Sequence, residues 1–173
     1  EVPPARGHDP DDESRIIPVD SNAEGHLVAM CFKTIGDKHG DLTFVRVYSG
    51  TLRAGAQVYN PRTRKVERVS RIFLMHAAAR TAIDTAESGS ICAVTGLKQA
   101  VTGDTICEKA WIVALESMHF PESVISMAIE PKTTADRDRL AEALAQLAKE
   151  DPTFHCTMQE DTGQLLIYGM GEL

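Results

Sequence analysis

The spacing of apolar residues along this chain changes near residue 116. Before it, apolar and polar positions alternate over short runs separated by glycine; beyond it, one stretch takes the 3.6-residue spacing of a helix. The clearest run is Asp41 to Gly50, which is β-branched and aromatic, free of proline and closed by Ser49-Gly50. That is the pattern of a central strand ending in a tight turn. Leu27 to Ile35 precedes it as a first strand, across the loop Gly36 to Gly40. Gln57 to Tyr59 is a short strand, and Asn60-Pro61-Arg62-Thr63 is a turn with proline at its second position. Lys65 to Met75 reads as one more strand, with Val66, Val69, Ile72 and Leu74 apolar among charges and a period that leaves a helix open. His76 to Arg80 reads as a loop or one helical turn. Ser90 to Leu97 and Thr105 to Cys107 are strands behind turns at Ser88-Gly89 and Thr102-Gly103-Asp104. Short strands at near-regular spacing with no long helix predict a small β-barrel over residues 27–115.

Residues 116–173 predict something else. Val124 to Ile129 is a strand. Thr133, with Asp136 three residues on, is a weakened capping box at a helix start. Leu140, Ala143, Leu144, Leu147 and Ala148 then form the stripe of an amphipathic helix, which Asp151-Pro152 stops. Thr153 to Gln159 and Gln164 to Tyr168 are hairpin strands around Asp161-Thr162-Gly163. The order β-α-β-β opens a split βαβ, ferredoxin-like unit that needs a further helix and strand. The chain stops at Glu172-Leu173, where that helix is due, and it begins without Met; both features read as a truncated or cleaved chain.

Composition adds a boundary at the other end. Residues 1–26 are rich in Pro, Asp and Gly, and predict an acidic linker or extended tail in which Ile16-Ile17-Pro18-Val19 is the one apolar patch. The N-terminus has no signal-peptide pattern, and no apolar run reaches the roughly 18–20 residues of a membrane helix. The four cysteines, at 31, 92, 107 and 156, have no Cys-x-x-Cys spacing and read as reduced, mostly buried thiols. The net charge of −7 is unevenly spread. Residues 25–111 hold twelve Lys/Arg against seven Asp/Glu, while both flanks are acidic. A basic middle section can be drawn to phosphate although the whole chain is acidic.

No catalytic constellation is present. There is no phosphate-wrapping Gly-Lys loop and no Gly-x-Ser-x-Gly elbow, and the six histidines have no metal-ligand spacing. Asp37-Lys38-His39-Gly40 reads as a hairpin loop. The cations Arg62, Arg64, Lys65, Arg68 and Arg71 remain, with Arg46 and Arg53 as neighbours. On one strand, Arg64 and Arg68 would share a face, and Lys65 and Arg71 the other. They are the candidate contacts to a phosphate backbone, weighed evenly against a solvated surface. Aromatics do not interleave with these cations in sequence, which points to folded RNA read by shape or backbone.

Several of these segments together resemble translation elongation factor G. Leu42-Thr43-Phe44-Val45-Arg46-Val47-Tyr48-Ser49-Gly50, and Val94-Thr95-Gly96-Leu97-Lys98 followed by Thr102-Gly103-Asp104-Thr105, are similar to that family's domain II. Ile129-Glu130-Pro131-Lys132-Thr133, Glu150-Asp151-Pro152-Thr153-Phe154 and Gly169-Met170-Gly171-Glu172-Leu173 are similar to domain III. The resemblance implies a mostly β chain: a translation-factor β-barrel over 27–115, then a truncated α+β unit over 116–173. It implies part of a cytoplasmic, GTP-dependent ribosomal translocase whose GTP and Mg2+ belong to an N-terminal GTPase domain, so that this chain needs no cofactor and has no activity alone. The implied partners are small-subunit ribosomal RNA, the small-subunit protein S12 and the factor's own GTPase domain, with no membrane and a monomeric chain. Asp151, Thr153 and Leu173 match positions bordering the family's fusidic acid pocket. Ser123 in Phe120-Pro121-Glu122-Ser123-Val124-Ile125 stands where the family usually has proline, which implies a looser linker. The alternatives are a purely structural module, a ribosome-recycling paralogue, a ribosomal protection protein or peptide chain release factor 3.

Overall fold

A computed structural model describes residues 4–171 apart from 37–39, 78, 117, 160 and 162. The chain divides into two compact units, Glu1–Met118 and His119–Leu173.

The first unit opens with β1 (Ala5–Asp9) and β2 (Asp12–Val19), an antiparallel hairpin. The linker or tail expected over residues 1–26 is thereby corrected: most of it is sheet. Its polar composition misled because most side chains of β2 face solvent, while one apolar edge is used. Val19 is buried with Val28, Cys107, Val113 and Leu115 in a small core of its own. Gly7 explains how closely the hairpin sits, since a Cβ there would lie 2.4 Å from Val113 Cγ2.

The barrel follows as β3 (Val28–Ile35), β4 (Leu42–Ser49), β5 (Thr51–Arg53), β6 (Gln57–Asn60), β7 (Lys65–Arg68), β8 (Arg71–His76), β9 (Ala79–Ile83), β10 (Thr85–Glu87), β11 (Ile91–Thr95) and β12 (Thr105–Cys107). Last in the unit, β13 (Ala114–Leu115) joins β1 and β2. Eight strands form one sheet in the order β7-β6-β12-β3-β4-β11-β8-β9, and β10 pairs with β5. Six strand spacings separate β7 from β8, roughly 29 Å across a flat sheet. Only Val69 and Ser70 join them in sequence, a reach of roughly 11 Å. The sheet must therefore curl until these strands meet, and that closure makes the barrel. Leu27, Ala29, Cys31, Val45, Val47, Leu52, Val58, Val69, Ile72, Cys92, Val94 and Ile106 fill its interior.

The closure also corrects the single strand expected over Lys65 to Met75. The chain breaks at Val69-Ser70 because these residues serve two neighbours. Val69 N donates to Ala56 O at 3.0 Å and Ser70 N to Thr95 O at 2.7 Å. Gly96 permits the approach: its φ is +104°, and a Cβ would lie 2.4 Å from Arg68 O. Residues 76–80, expected as loop or helical turn, instead close the β8–β9 hairpin, with Ala77 at φ 53°. Ala78 lies outside the described residues.

In the second unit, β14 (Ile125–Ile129), α1 (Thr134–Glu150), β15 (His155–Met158) and β16 (Leu165–Gly169) give the β-α-β-β order. β16 lies between β14 and β15 and is antiparallel to both, the split arrangement of a ferredoxin-like sheet. Thr133 caps α1, accepting from Asp136 N at 3.3 Å while donating its hydroxyl to Asp136 Oδ2 at 2.6 Å. Of the expected stripe, Leu144 is buried and Leu140 half-buried, while Ala143, Leu147 and Ala148 are exposed.

Candidate nucleic-acid interface

Asn60 ends β6 and builds the basic turn. Its Oδ1 accepts from Arg62 N at 3.0 Å and Thr63 N at 3.2 Å, an Asx-type turn. Its Nδ2 donates to Asp104 Oδ2 at 2.8 Å. Asp104, almost fully buried, also holds the Arg62 guanidinium with two parallel bonds, Nε to Oδ1 at 2.5 Å and Nη2 to Oδ2 at 2.8 Å. That hydrogen-bonded carboxylate raises the Arg62 pKa above its ordinary value. Arg62 Nη2 further donates to Gln99 O at 3.0 Å. Glu67, the one acid within the basic stretch, is engaged elsewhere: its Oε2 accepts from Lys98 N at 2.6 Å and Gln99 N at 2.9 Å. Arg62 and Glu67 thus pin the 97–101 loop over the barrel seam. Arg62 is first a structural residue.

The other cations have separate fates. Arg64 sits in the left-handed region at φ 56° and pairs with Asp11 at the hairpin tip, 2.5 Å away, with both side chains about 70% exposed. An exposed pair of this kind contributes about 0–1 kcal/mol and exchanges readily for another anion. Arg68 donates from Nε to Gly55 O at 3.1 Å, steadying the turn after β5. Lys65 and Arg71 are exposed and have no ion-pair partner among the described residues. Because β7 and β8 are separate strands, the face-sharing expected along one strand does not hold. Arg71 instead pairs in register with Thr95 on β11, and Lys65 with Asn60 on β6. Sequence reasoning left Arg46 as a neighbour only. It projects from β4 with its guanidinium 5.2 Å over the Tyr48 ring.

In the second unit, Asp151 closes α1, and its Oδ1 accepts from Thr153 N at 2.8 Å and Thr153 Oγ1 at 2.7 Å. Thr153 lines an open cleft of about 490 Å³ with Phe120, Pro121, Ser123, His155 and Tyr168. The His155 and Tyr168 rings stack at 4.4 Å and 5°. Asp151 acts behind this wall, orienting Thr153. Leu173 lies outside the described residues. Ser123 does not simply loosen its segment: its hydroxyl donates to the Thr153 carbonyl, replacing proline's rigidity with a tie to the 151–153 turn.

These two units match known proteins in the same order. Residues 40–107 match the family described as Elongation factor Tu domain 2, and residues 120–173 match Elongation Factor G, domain III. A crystal structure from Thermus thermophilus superposes with a TM-score of 0.75 at 26% identity, over 86% of this chain and 23% of that one. Elongation factor G of Salinibacter ruber is 48% identical over 174 residues, covering 100% of this chain. The chain belongs to the elongation factor G family. It spans 25% of the length of the Salinibacter protein. As an elongation factor G sequence it divides where the domain matches divide. The Tu-type match runs from Gly40, just before β4, to the end of β12, and the domain III match begins at Phe120, one residue into the second unit. The β1–β2 hairpin and β13 lie outside both domain matches, yet inside the 48% identical alignment.

Proposed function

We propose that this chain serves within an elongation factor G as a ribosome-contacting and supporting segment, its barrel meeting small-subunit ribosomal RNA and packing against a GTPase domain. The observation that carries this reading is the alignment of the entire chain, through both units, with an elongation factor G at 48% identity. Translocation would be driven by GTP and Mg2+ held in that GTPase domain, whose phosphate-wrapping loop has no counterpart in this sequence. The second unit would lie near the small-subunit protein S12, with Asp151 and Thr153 at the border of a fusidic acid pocket. The factor would work in the cytoplasm.

The barrel's excess of cations supports an RNA contact, and Arg64 and Lys65 are the members of the basic turn that are exposed and exchangeable or unpaired. Co-sedimentation of the chain with small ribosomal subunits over a salt series tests the reading. Binding that falls steeply with salt and weakens in Arg64→Glu/Lys65→Glu is the expected result, because each phosphate contact releases counterions. Absence of co-sedimentation at low salt sinks it.

A second reading, a purely intramolecular scaffold, is favoured by the internal engagement of Arg62, Glu67 and Arg68. A response that is flat in salt identifies that case. Whether the factor translocates or recycles ribosomes is separated by assaying the full-length protein in both reactions.

A further inference from the structure

Cross-strand register sorts the barrel's outward side chains into rows that the sequence order hides. Inward positions are fixed by the core, which takes Cys31, Val45, Val47, Ile72, Cys92 and Val94. Their neighbours in each strand therefore point outward. On β3 and β4 the pair Met30↔Arg46 faces out, and so does Lys33↔Phe44. Phe32, the extra residue of the bulge between Cys31 and Lys33, has its ring 6.3 Å from that of Phe44. On β11, Ile91 lies beside Arg46, and Ala93 lies between Phe44 and Phe73. On β8, Arg71 lies beside Thr95, and on β9, Arg80 lies beside Met75.

Two properties of this face point to one ligand chemistry. The first is charge: β3, β4, β11, β8 and β9 are adjacent in the sheet and contain Lys33, Arg46, Arg71 and Arg80 but no Asp or Glu, in a chain of net charge −7. The second is a half-exposed aromatic floor between the cations. Ala93 is fully buried although it points outward, so the flanking Phe44 and Phe73 side chains close over it. The half-exposed Phe32, Phe44 and Phe73 side chains and the exposed Ile91 then present apolar and π surface, with the Arg46 guanidinium held over Tyr48. A folded duplex offers phosphate but no free base face. Cations around aromatic rings on an open sheet fit a strand whose bases are unstacked, with the rings taking bases and the cations taking phosphates.

We propose that the outer face of β3-β4-β11-β8-β9 binds RNA at a single-stranded or unstacked segment, with Phe44 and Phe73 stacking bases and Arg46 and Arg71 holding the backbone. This deepens the ribosomal reading and rests on it for the identity of the RNA. It adds a contact beyond the 60–68 turn and revises the expectation of shape or backbone recognition.

Fluorescence anisotropy with a labelled single-stranded RNA and a matched duplex, on the 173-residue chain at low and moderate salt, tests the proposal. Arg46→Glu/Arg71→Glu should lower single-strand affinity at least about tenfold and flatten its salt dependence. Phe44→Leu keeps an apolar side chain and removes the ring; it should lower single-strand affinity at least about fivefold and leave duplex binding unchanged. Circular dichroism confirms folding of each variant. Undiminished single-strand binding by Arg46→Glu/Arg71→Glu overturns the proposal, as does a wild type that prefers duplex. Co-sedimentation separates this from failure of the ribosomal reading. If Arg64→Glu/Lys65→Glu abolishes subunit binding and the face variant does not, the ribosome remains the partner and the face is excluded. If the face variant loses intact subunits but binds naked small-subunit RNA as the wild type does, the face takes a protein partner and the proposal falls. A wild type that binds single strands through the face yet never sediments with subunits upholds the face and rejects the ribosome.

Discussion

At the scale of single residues, the sequence overstated the freedom of its cations. Arg62, Arg64, Lys65, Arg68 and Arg71 look alike in a string of letters, but only the fold reveals that Asp104, forty-two positions from Arg62, is almost fully buried beside it. Asp104 accepts from Arg62 Nε, Arg62 Nη2, Asn60 Nδ2 and Val101 N. Asp104→Ala would remove all of these and leave the donors of Asn60 and Arg62 to be resolvated, so it should cost about 3 kcal/mol or more. A lowered urea midpoint with an unchanged slope is the expected readout. Arg62→Lys should recover little, since an ammonium cannot reproduce the two-pronged bond.

A second residue pair carries a pH dependence. The Glu108 carboxyl is held below its ordinary value, first by its hydrogen bond to His26 Nδ1 at 2.8 Å and then by the Leu27 amide. A depressed folded pKa means that the contribution is fully present above about pH 4.5 and is lost as pH falls through the lower folded value. Both side chains are about half exposed, so the contribution stays below about 1 kcal/mol. Glu108→Gln should therefore be slightly less stable than wild type at pH 7, and the two should converge on acidification. Equal stability at pH 7 would count against the pairing.

At the scale of elements, most strands were legible because alternation and glycine punctuation are local. The strands Leu42–Ser49 and Ile91–Thr95 follow from their β-branched residues alone. The β1–β2 hairpin was not legible, because its stabilising contacts come from Val113 and Leu115 some hundred residues away, and its own sequence is mostly polar. The break at Val69-Ser70 was hidden for a related reason. It is demanded by closure of the sheet, a global constraint with no local apolar signal. Gly96 is where that constraint becomes testable. Gly96→Ala would place a Cβ 2.4 Å from Arg68 O and 2.9 Å from Ser70 N at a φ of +104°, contacts with backbone that no rotamer relieves. The expected loss is about 2 kcal/mol or more, seen as a lower melting temperature with the β-sheet signal retained below it. Gly89, also at positive φ but with nothing within 4 Å, should lose less on the same substitution.

At the scale of the molecule, the two units differ in how much apolar side chain they bury. In the first, Leu27, Val28, Val45, Val47, Leu52, Val58, Val69, Ile72, Val94 and Ile106 are all buried, whereas in the second only Leu144 is, among the described residues. Full burial of a large aliphatic side chain is worth about 1.5–3 kcal/mol, so the second unit has far less to set against the entropy of ordering its chain. Met127 and Met158 stand exposed on one sheet face with Ile125, a surface that contributes little while wet. The chain should accordingly unfold in two steps rather than one. Two built-in probes separate them. Trp111 is the single tryptophan and lies in the first unit, against the Val19 core, while α1 in the second unit is the helix seen among the described residues. Loss of the helical circular dichroism signal should therefore precede the shift in Trp111 fluorescence along a urea titration. Coincident curves would overturn the two-step expectation.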